Sequence, residues 1–161
     1  MSALRHFTPI VKSLSWTNES ATKSFAVRLA KQAALHKAFI ALHGNLGAGK
    51  TTLVRHLLSA LGVKGRVKSP SYAIVESYEL PALTVWHFDF YRFSDPREWE
   101  EAGFRDIFAG PGLKLTEWPE NAAKVLPIAD LDISIQTLAD ATRMVTITAN
   151  TALGTELLQA L

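Results

Sequence analysis

Gly44-Asn45-Leu46-Gly47-Ala48-Gly49-Lys50-Thr51 fits G-x-x-x-x-G-K-[ST] at every required position. The chemistry this pattern serves is phosphate binding. Glycines let the backbone curl tightly with its N–H groups turned inward on an anion. A lysine at the position of Lys50 reaches the β- and γ-phosphates, and a hydroxyl at Thr51 is placed to ligate Mg²⁺. The expected cradle runs over Asn45, Leu46, Gly47, Ala48, Gly49, Lys50, Thr51 and Thr52. The expected ligand is a nucleoside triphosphate with Mg²⁺.

Two acids downstream suit the same chemistry. Asp89 closes the apolar run Val85-Trp86-His87-Phe88, and a strand-end carboxylate commonly holds Mg²⁺ through a water in such sites. Glu117 closes Leu113-Lys114-Leu115-Thr116. It reads either as an exposed loop glutamate or as a carboxylate completing the Mg²⁺ shell or orienting a water, and spacing alone does not choose. Ser69-Pro70-Ser71-Tyr72 lies between the two chemical strands, either as a hydroxyl-bearing switch segment or as an ordinary turn. His87, a lone imidazole on an apolar run, reads as a core residue. Trp118, following Glu117, reads as a packing residue.

The elements that would position these residues follow from periodicity. Ala38 to Leu42 is a short apolar run suited to a strand buried on both faces. Leu53, Val54, Leu57, Leu58 and Leu61 form one helical stripe, with a stop at Gly62. Strand, glycine loop and helix in that order is the context the motif requires. The helix dipole then points its positive end at the anion. Upstream, Ser13 to Trp16 reads as a strand, and Asn18 caps a helix with Phe25, Leu29 and Ala33 inward. Downstream come an extended run from Tyr72 to Tyr78, a strand from Thr84 to Phe88 and a helix from Asp95 to Ala102. Leu113 to Glu117 is a further strand. Leu131, Ile133 and Ile135 alternate, as do Val145 and Ile147, and the short link predicts an antiparallel hairpin. Thr151 to Leu161 closes as a helix. The sum is an α/β three-layer, P-loop NTPase-like domain with a mixed, mostly parallel central sheet and a C-terminal antiparallel hairpin.

Composition bounds the rest. A chain of 161 residues with 48% hydrophobic content supports one domain over 1–161 with a substantial core. With no cysteine, thiolate metal sites, disulfides and cysteine nucleophiles are excluded. A formal charge of +2 does not suggest a nucleic-acid binder by bulk electrostatics. Arg5, Lys12 and Glu19 interrupt any leader-like apolar core, and no segment approaches a membrane span, so a cytoplasmic protein is expected.

Taken in order, residues 44–52, Ser69-Pro70-Ser71-Tyr72, His87-Phe88-Asp89-Phe90-Tyr91-Arg92 and Glu117-Trp118-Pro119-Glu120 resemble the bacterial TsaE (YjeE) ATPases of tRNA threonylcarbamoyladenosine synthesis. The segment from Asp95 to Phe104 is similar as well. The resemblance implies ATP hydrolysis with Mg²⁺, supporting repeated turnover by a TsaD–TsaB pair. That pair installs threonylcarbamoyl next to the anticodon of tRNAs reading A-starting codons, so contact with tRNA would be indirect. It implies Thr51 and Glu117 as Mg²⁺ ligands and Asp89 as the Walker-B-like acid. Ser69 to Tyr72 would be the switch segment, and Trp118 an active-site neighbour. Lys50, Asp89 and Glu117 are then the expected catalytic set. Two features depart from the family: Ser71 stands where threonine is usual, and Asn150-Thr151-Ala152-Leu153-Gly154 lacks a basic residue.

Two other functions suit a P-loop. A small-molecule kinase would need an acceptor pocket and commonly an arginine-rich lid, whereas Arg92, Arg97 and Arg105 are scattered. A nucleotide-gated binding switch would need no catalysis of its own. No N-K-x-D motif for guanine reading occurs.

Overall fold

The computed structural model describes residues 7–67, 70 and 74–161. Its seven strands are β1 (Ile10–Trp16), β2 (Phe39–His43), β3 (Val75–Leu80), β4 (Leu83–Asp89), β5 (Leu113–Glu117), β6 (Leu131–Thr137) and β7 (Arg143–Ala149). They form one sheet in the order β1-β7-β6-β2-β5-β4-β3. The centre, β6-β2-β5-β4, is parallel, and the pairings β1-β7, β7-β6 and β4-β3 are antiparallel. Only β7 and β3 therefore run against the common direction. The carboxyl ends of β2, β4 and β5 lie side by side, the place where open α/β sheets bind ligands.

The alternation of β2 shows how both sheet faces are covered. Ile40 and Leu42 face a core with Phe25 and Leu29 of α1 (Glu19–Ala30) and Leu53 and Leu57 of α2 (Lys50–Leu61). Phe39 and Ala41 face the other way and pack with Phe108 and Leu126. On that second face an aromatic cluster gathers Phe88, Phe90, Phe93, Trp99 and Phe104 around α3 (Pro96–Glu101) and α4 (Phe104–Ala109). Burying one such ring contributes about 1.5–3 kcal/mol, so this cluster firmly anchors the β4–β5 connection. The last helix, α5 (Ala152–Gln159), returns Leu157 and Leu158 to the first core.

Local chemistry sets the boundaries. Asn18 caps α1 by accepting from Ala21 N at 3.0 Å, Asp95 caps α3 by accepting from Arg97 N, and Thr151 caps α5. The segment from Asp95 to Ala102 does not continue as one helix with its sequel. Gly103, at φ 71°, turns the chain so that α4 starts afresh. Ala33, expected on the inward stripe of α1, is instead exposed and opens a 3-10 turn (Ala33–Lys37) after the helix ends at Ala30, and a second 3-10 turn spans Pro119–Ala122. Among the described residues no helix is long and apolar enough to cross a membrane.

Candidate functional site

The glycine loop joins β2 to α2 and forms one wall of a cavity of about 400 Å³. Leu46 to Thr52, Asp89, Tyr91, Arg92, Glu117, Trp118 and Arg143 line it. Two glycines are required for different reasons. A Cβ on Gly44 (φ 149°) would lie 2.6 Å from the Ile135 carbonyl oxygen, a backbone atom, whereas Gly49 is demanded by its φ of 110°, with the mobile Arg143 guanidinium packed against it. The free N–H groups of the first turn of α2 open into the same space, where an anion is favoured.

Lys50 is 4% exposed and held twice. Its Nζ donates to the Gly44 carbonyl at 2.6 Å and sits 3.7 Å above the Trp118 ring centroid. Burial pushes its pKa below the ordinary lysine value, while Glu117, Glu120 and Asp89 pull it back in part. Trp118 adopts a left-handed backbone (φ 56°, ψ 47°) immediately after β5, and Tyr91 packs on its ring at 5.0 Å. That conformation is uncommon for a bulky side chain. It turns the indole from the strand end into the cavity.

Thr51, Glu117 and His87 form a chain of hydrogen bonds. The Thr51 hydroxyl donates to Glu117 Oε1 at 2.9 Å, and His87 Nε2 donates to Glu117 Oε2 at 2.6 Å. Burial by itself would raise the Glu117 carboxyl, but the His87 hydrogen bond and charge, the Thr51 hydroxyl and the nearby Lys50 outweigh it. The carboxyl is therefore held below the ordinary glutamate value. Asp89 stands beside Glu117 in the β4–β5 register. Its pKa is raised, chiefly by burial and further by the Glu117 charge, against the N–H that Tyr91 donates at 3.0 Å. One carboxylate is thus prepared to stay ionised, and its neighbour holds a proton more readily.

These residues sit in a chain whose positions 16–145 match the family described as "Threonylcarbamoyl adenosine biosynthesis protein TsaE". The chain belongs to the TsaE family. It is 41% identical over 138 residues to a Haemophilus influenzae protein named tRNA threonylcarbamoyladenosine biosynthesis protein TsaE, covering 86% of this chain and 87% of that one. A Bacillus subtilis protein of the same name is 36% identical over 141 residues, with 86% and 87% covered. A crystal structure of Bacillus subtilis YdiB superposes with a TM-score of 0.73 at 30% identity, covering 93% of this chain and 94% of that one.

Within this TsaE-family chain, the structure brings most of the expected residues to one place. Leu46 to Thr52, Asp89, Glu117 and Trp118 share the cavity, while Asn45 lines an adjoining pocket with Gln136 and Thr137. Pro70 is buried, and its carbonyl accepts from Ile74 N at 3.0 Å. The rest of the expected switch segment, Ser69, Ser71 and Tyr72, lies outside the described residues. Of the scattered arginines, Arg97 pairs with Asp95 at 2.9 Å and Arg105 approaches Glu100 at 3.9 Å, both on the surface, whereas Arg92 lines the cavity.

Two site residues were missed by sequence reasoning. His87 is buried as expected of a core residue, but its Nε2 serves Glu117. No local pattern links positions 30 apart. Arg143 opens β7 and its guanidinium reaches Gly49. The signal for Arg143 was present in the hairpin itself. A strand returning antiparallel to β6 begins at the end where the parallel strands finish, which is the glycine-loop end. A smaller pocket of about 110 Å³ shares Thr52 and Arg143 with the main cavity and is completed by Trp16, Asn18, Glu19, Thr22 and Ala141.

Proposed function

We propose that this protein is an Mg²⁺-dependent ATPase of tRNA threonylcarbamoyladenosine biosynthesis, working with TsaD and TsaB rather than performing the transfer itself. The observation that carries the reading is the Thr51 hydroxyl bonded at 2.9 Å to an ionised Glu117, with Asp89 beside it under the glycine loop. A hydroxyl and two carboxylates are the hard oxygen donors that Mg²⁺ prefers. The cation would be held jointly by Thr51, Glu117, the neighbouring Asp89 and phosphate oxygens. Bound there, Mg²⁺ would neutralise charge developing on the transferred phosphoryl group.

The chain's own residues do the rest. Backbone N–H groups of residues 47–52 receive the phosphates. Lys50 leaves the Gly44 carbonyl and supplies a positioned cation, and Arg143 adds a second positive charge beside Gly49. The pocket shared by Thr52 and Arg143 lies alongside the loop and suits the nucleoside end of the ligand. Trp118 and Tyr91 wall the cavity and limit water. Asp89, beside Glu117 on the paired strand, would hold the cation through a water.

The test is phosphate release from ATP by the full chain alone, with TsaD and TsaB, and with tRNA added. Turnover should be slow alone and rise with the partners. Unaided phosphorylation of a small-molecule acceptor would replace this reading with a kinase.

A further inference from the structure

The motif histidine His87 is 0% exposed, yet it is not paired as a buried imidazole should be. Its Nδ1 has no hydrogen-bond partner, and its only polar contact among those described is the 2.6 Å bond to Glu117 Oε2. Burying a ring nitrogen unpaired is unfavourable, and a leucine at this place would avoid it. The imidazole's polar character is therefore spent on one task. A carboxylate can only accept, so the shared hydrogen belongs to Nε2.

The geometry of Glu117 says what that task is. Its two oxygens face different partners, Oε1 toward the Thr51 hydroxyl and Oε2 toward His87. Lys50 is close enough to affect both acids electrostatically and is itself buried. A glutamate tethered at one oxygen only could rotate and withdraw its carboxylate from Thr51. His87 lies two residues before Asp89 on β4 and bonds across to the last residue of β5, so the tether is built on paired strands rather than a loop.

We propose that His87 is a positioning residue that fixes the Glu117 carboxylate for the cation. This rests on the Mg²⁺-ATP reading above. It predicts a defect in metal binding, separate from phosphate binding.

The experiment uses the full chain as wild type, His87→Leu and His87→Gln. Mn²⁺, a stand-in for Mg²⁺, is titrated in the presence of ADP and followed by electron paramagnetic resonance. ADP affinity is measured in parallel without metal. His87→Leu should weaken Mn²⁺ binding about tenfold and leave metal-free ADP affinity within about twofold. His87→Gln, which keeps an N–H donor, should recover most of the loss, and His87→Leu should cost nothing further in a Glu117→Gln background. Unchanged Mn²⁺ binding in a folded His87→Leu variant overturns the proposal, as does equal loss in both His87 variants. If His87→Leu does not fold, His87→Gln decides, since a tenfold loss there refutes the donor role and near wild-type binding supports it. In wild type, a strongly downfield imidazole N–H proton that vanishes in Glu117→Gln reports the bond directly, and its absence also refutes the tether. Wild-type protein that binds ADP without any metal dependence would instead defeat the Mg²⁺-ATP reading itself.

Discussion

Lys50 is the residue on which the site turns, and two contacts hold it. Its Nζ is bonded to the Gly44 carbonyl and covered by the Trp118 ring. Under the proposed function a phosphate would engage the cation that lies over the Trp118 ring, which makes Trp118 a built-in reporter. Addition of Mg²⁺-ATP should change tryptophan emission, and Trp118→Phe should remove most of that change although Trp16, Trp86 and Trp99 remain. An unaltered signal in Trp118→Phe would show that the indole does not sense the ligand. Lys50→Ala removes a cation that helps offset the charges of Glu117 and Asp89. ATP turnover should fall about a hundredfold or more, the scale seen when one positioned electrostatic group is lost. Phosphate release at saturating ATP measures it, and wild-type turnover would dismiss the site. At this scale the sequence was informative where chemistry is local. Lys50 and Thr51 are adjacent in a motif, and Asp89 and Glu117 each end an apolar run. The His87–Glu117 bond and the reach of Arg143 to Gly49 are products of strand pairing, which no single run of residues encodes.

Among elements, β6 is the hinge between the chemical half of the sheet and its antiparallel flank. Asp132 on β6 accepts from His43 at 2.7 Å, at the end of β2 just before the glycine loop, and from Asn150 Nδ2 at 2.7 Å, just after β7. Burial would raise this carboxyl, but those hydrogen bonds and the His43 charge outweigh it and hold it below the ordinary aspartate value. The sign follows from linkage. The unfolded chain binds this proton more readily, so the stabilisation is complete above the ordinary aspartate range near pH 4 and is lost as pH falls through the lower folded value. Asp132→Asn should cost about 1 kcal/mol at neutral pH, with an amide now facing Asn150. It should also flatten the fall in melting temperature between about pH 4 and pH 2. Parallel acid limbs in wild type and variant would show that the ionised carboxylate is not stabilised by the fold. Element boundaries were readable where capping and alternation agree, as for β5 over Leu113–Glu117 and the β6–β7 hairpin. The end of α3 near Ala102 was also readable, but α4 after Gly103 was not, because the aromatic packing of Trp99 on Phe104 and Phe108 restarts a helix that local pattern would let lapse.

Over the whole molecule, alternation and short links supplied the α/β class, but not the order of strands across the sheet. The N-terminal strand β1 pairs with the late strand β7, and β2 is flanked by β5 and β6. Such order depends on pairing between distant segments, and the C-terminal helix closes it. Within α5, Gly154 lies so near the β6 entry that an added Cβ would be 1.9 Å from the Asp130 carbonyl oxygen. Asp130 itself accepts from Phe39 N at 2.7 Å and from the Thr151 hydroxyl at 2.7 Å, and Gln32 Nε2 donates to the Leu157 carbonyl at 3.1 Å. One small residue therefore lets the tail clamp the segment before β2, the entry to β6 and the end of β7 at once. Helix propensity alone makes Gly154→Ala stabilising by about 0.5–1 kcal/mol. The backbone clash reverses the sign, because overpacking costs about 1–3 kcal/mol when the obstacle cannot move aside. Gly154→Ala should thus lower the melting temperature by several degrees. Since the clamp joins both halves of the sheet, far-UV circular dichroism and tryptophan emission should shift together in a single transition. A stabilised variant would show that the tail packs more loosely, and separate transitions would show that the two halves of the sheet unfold independently.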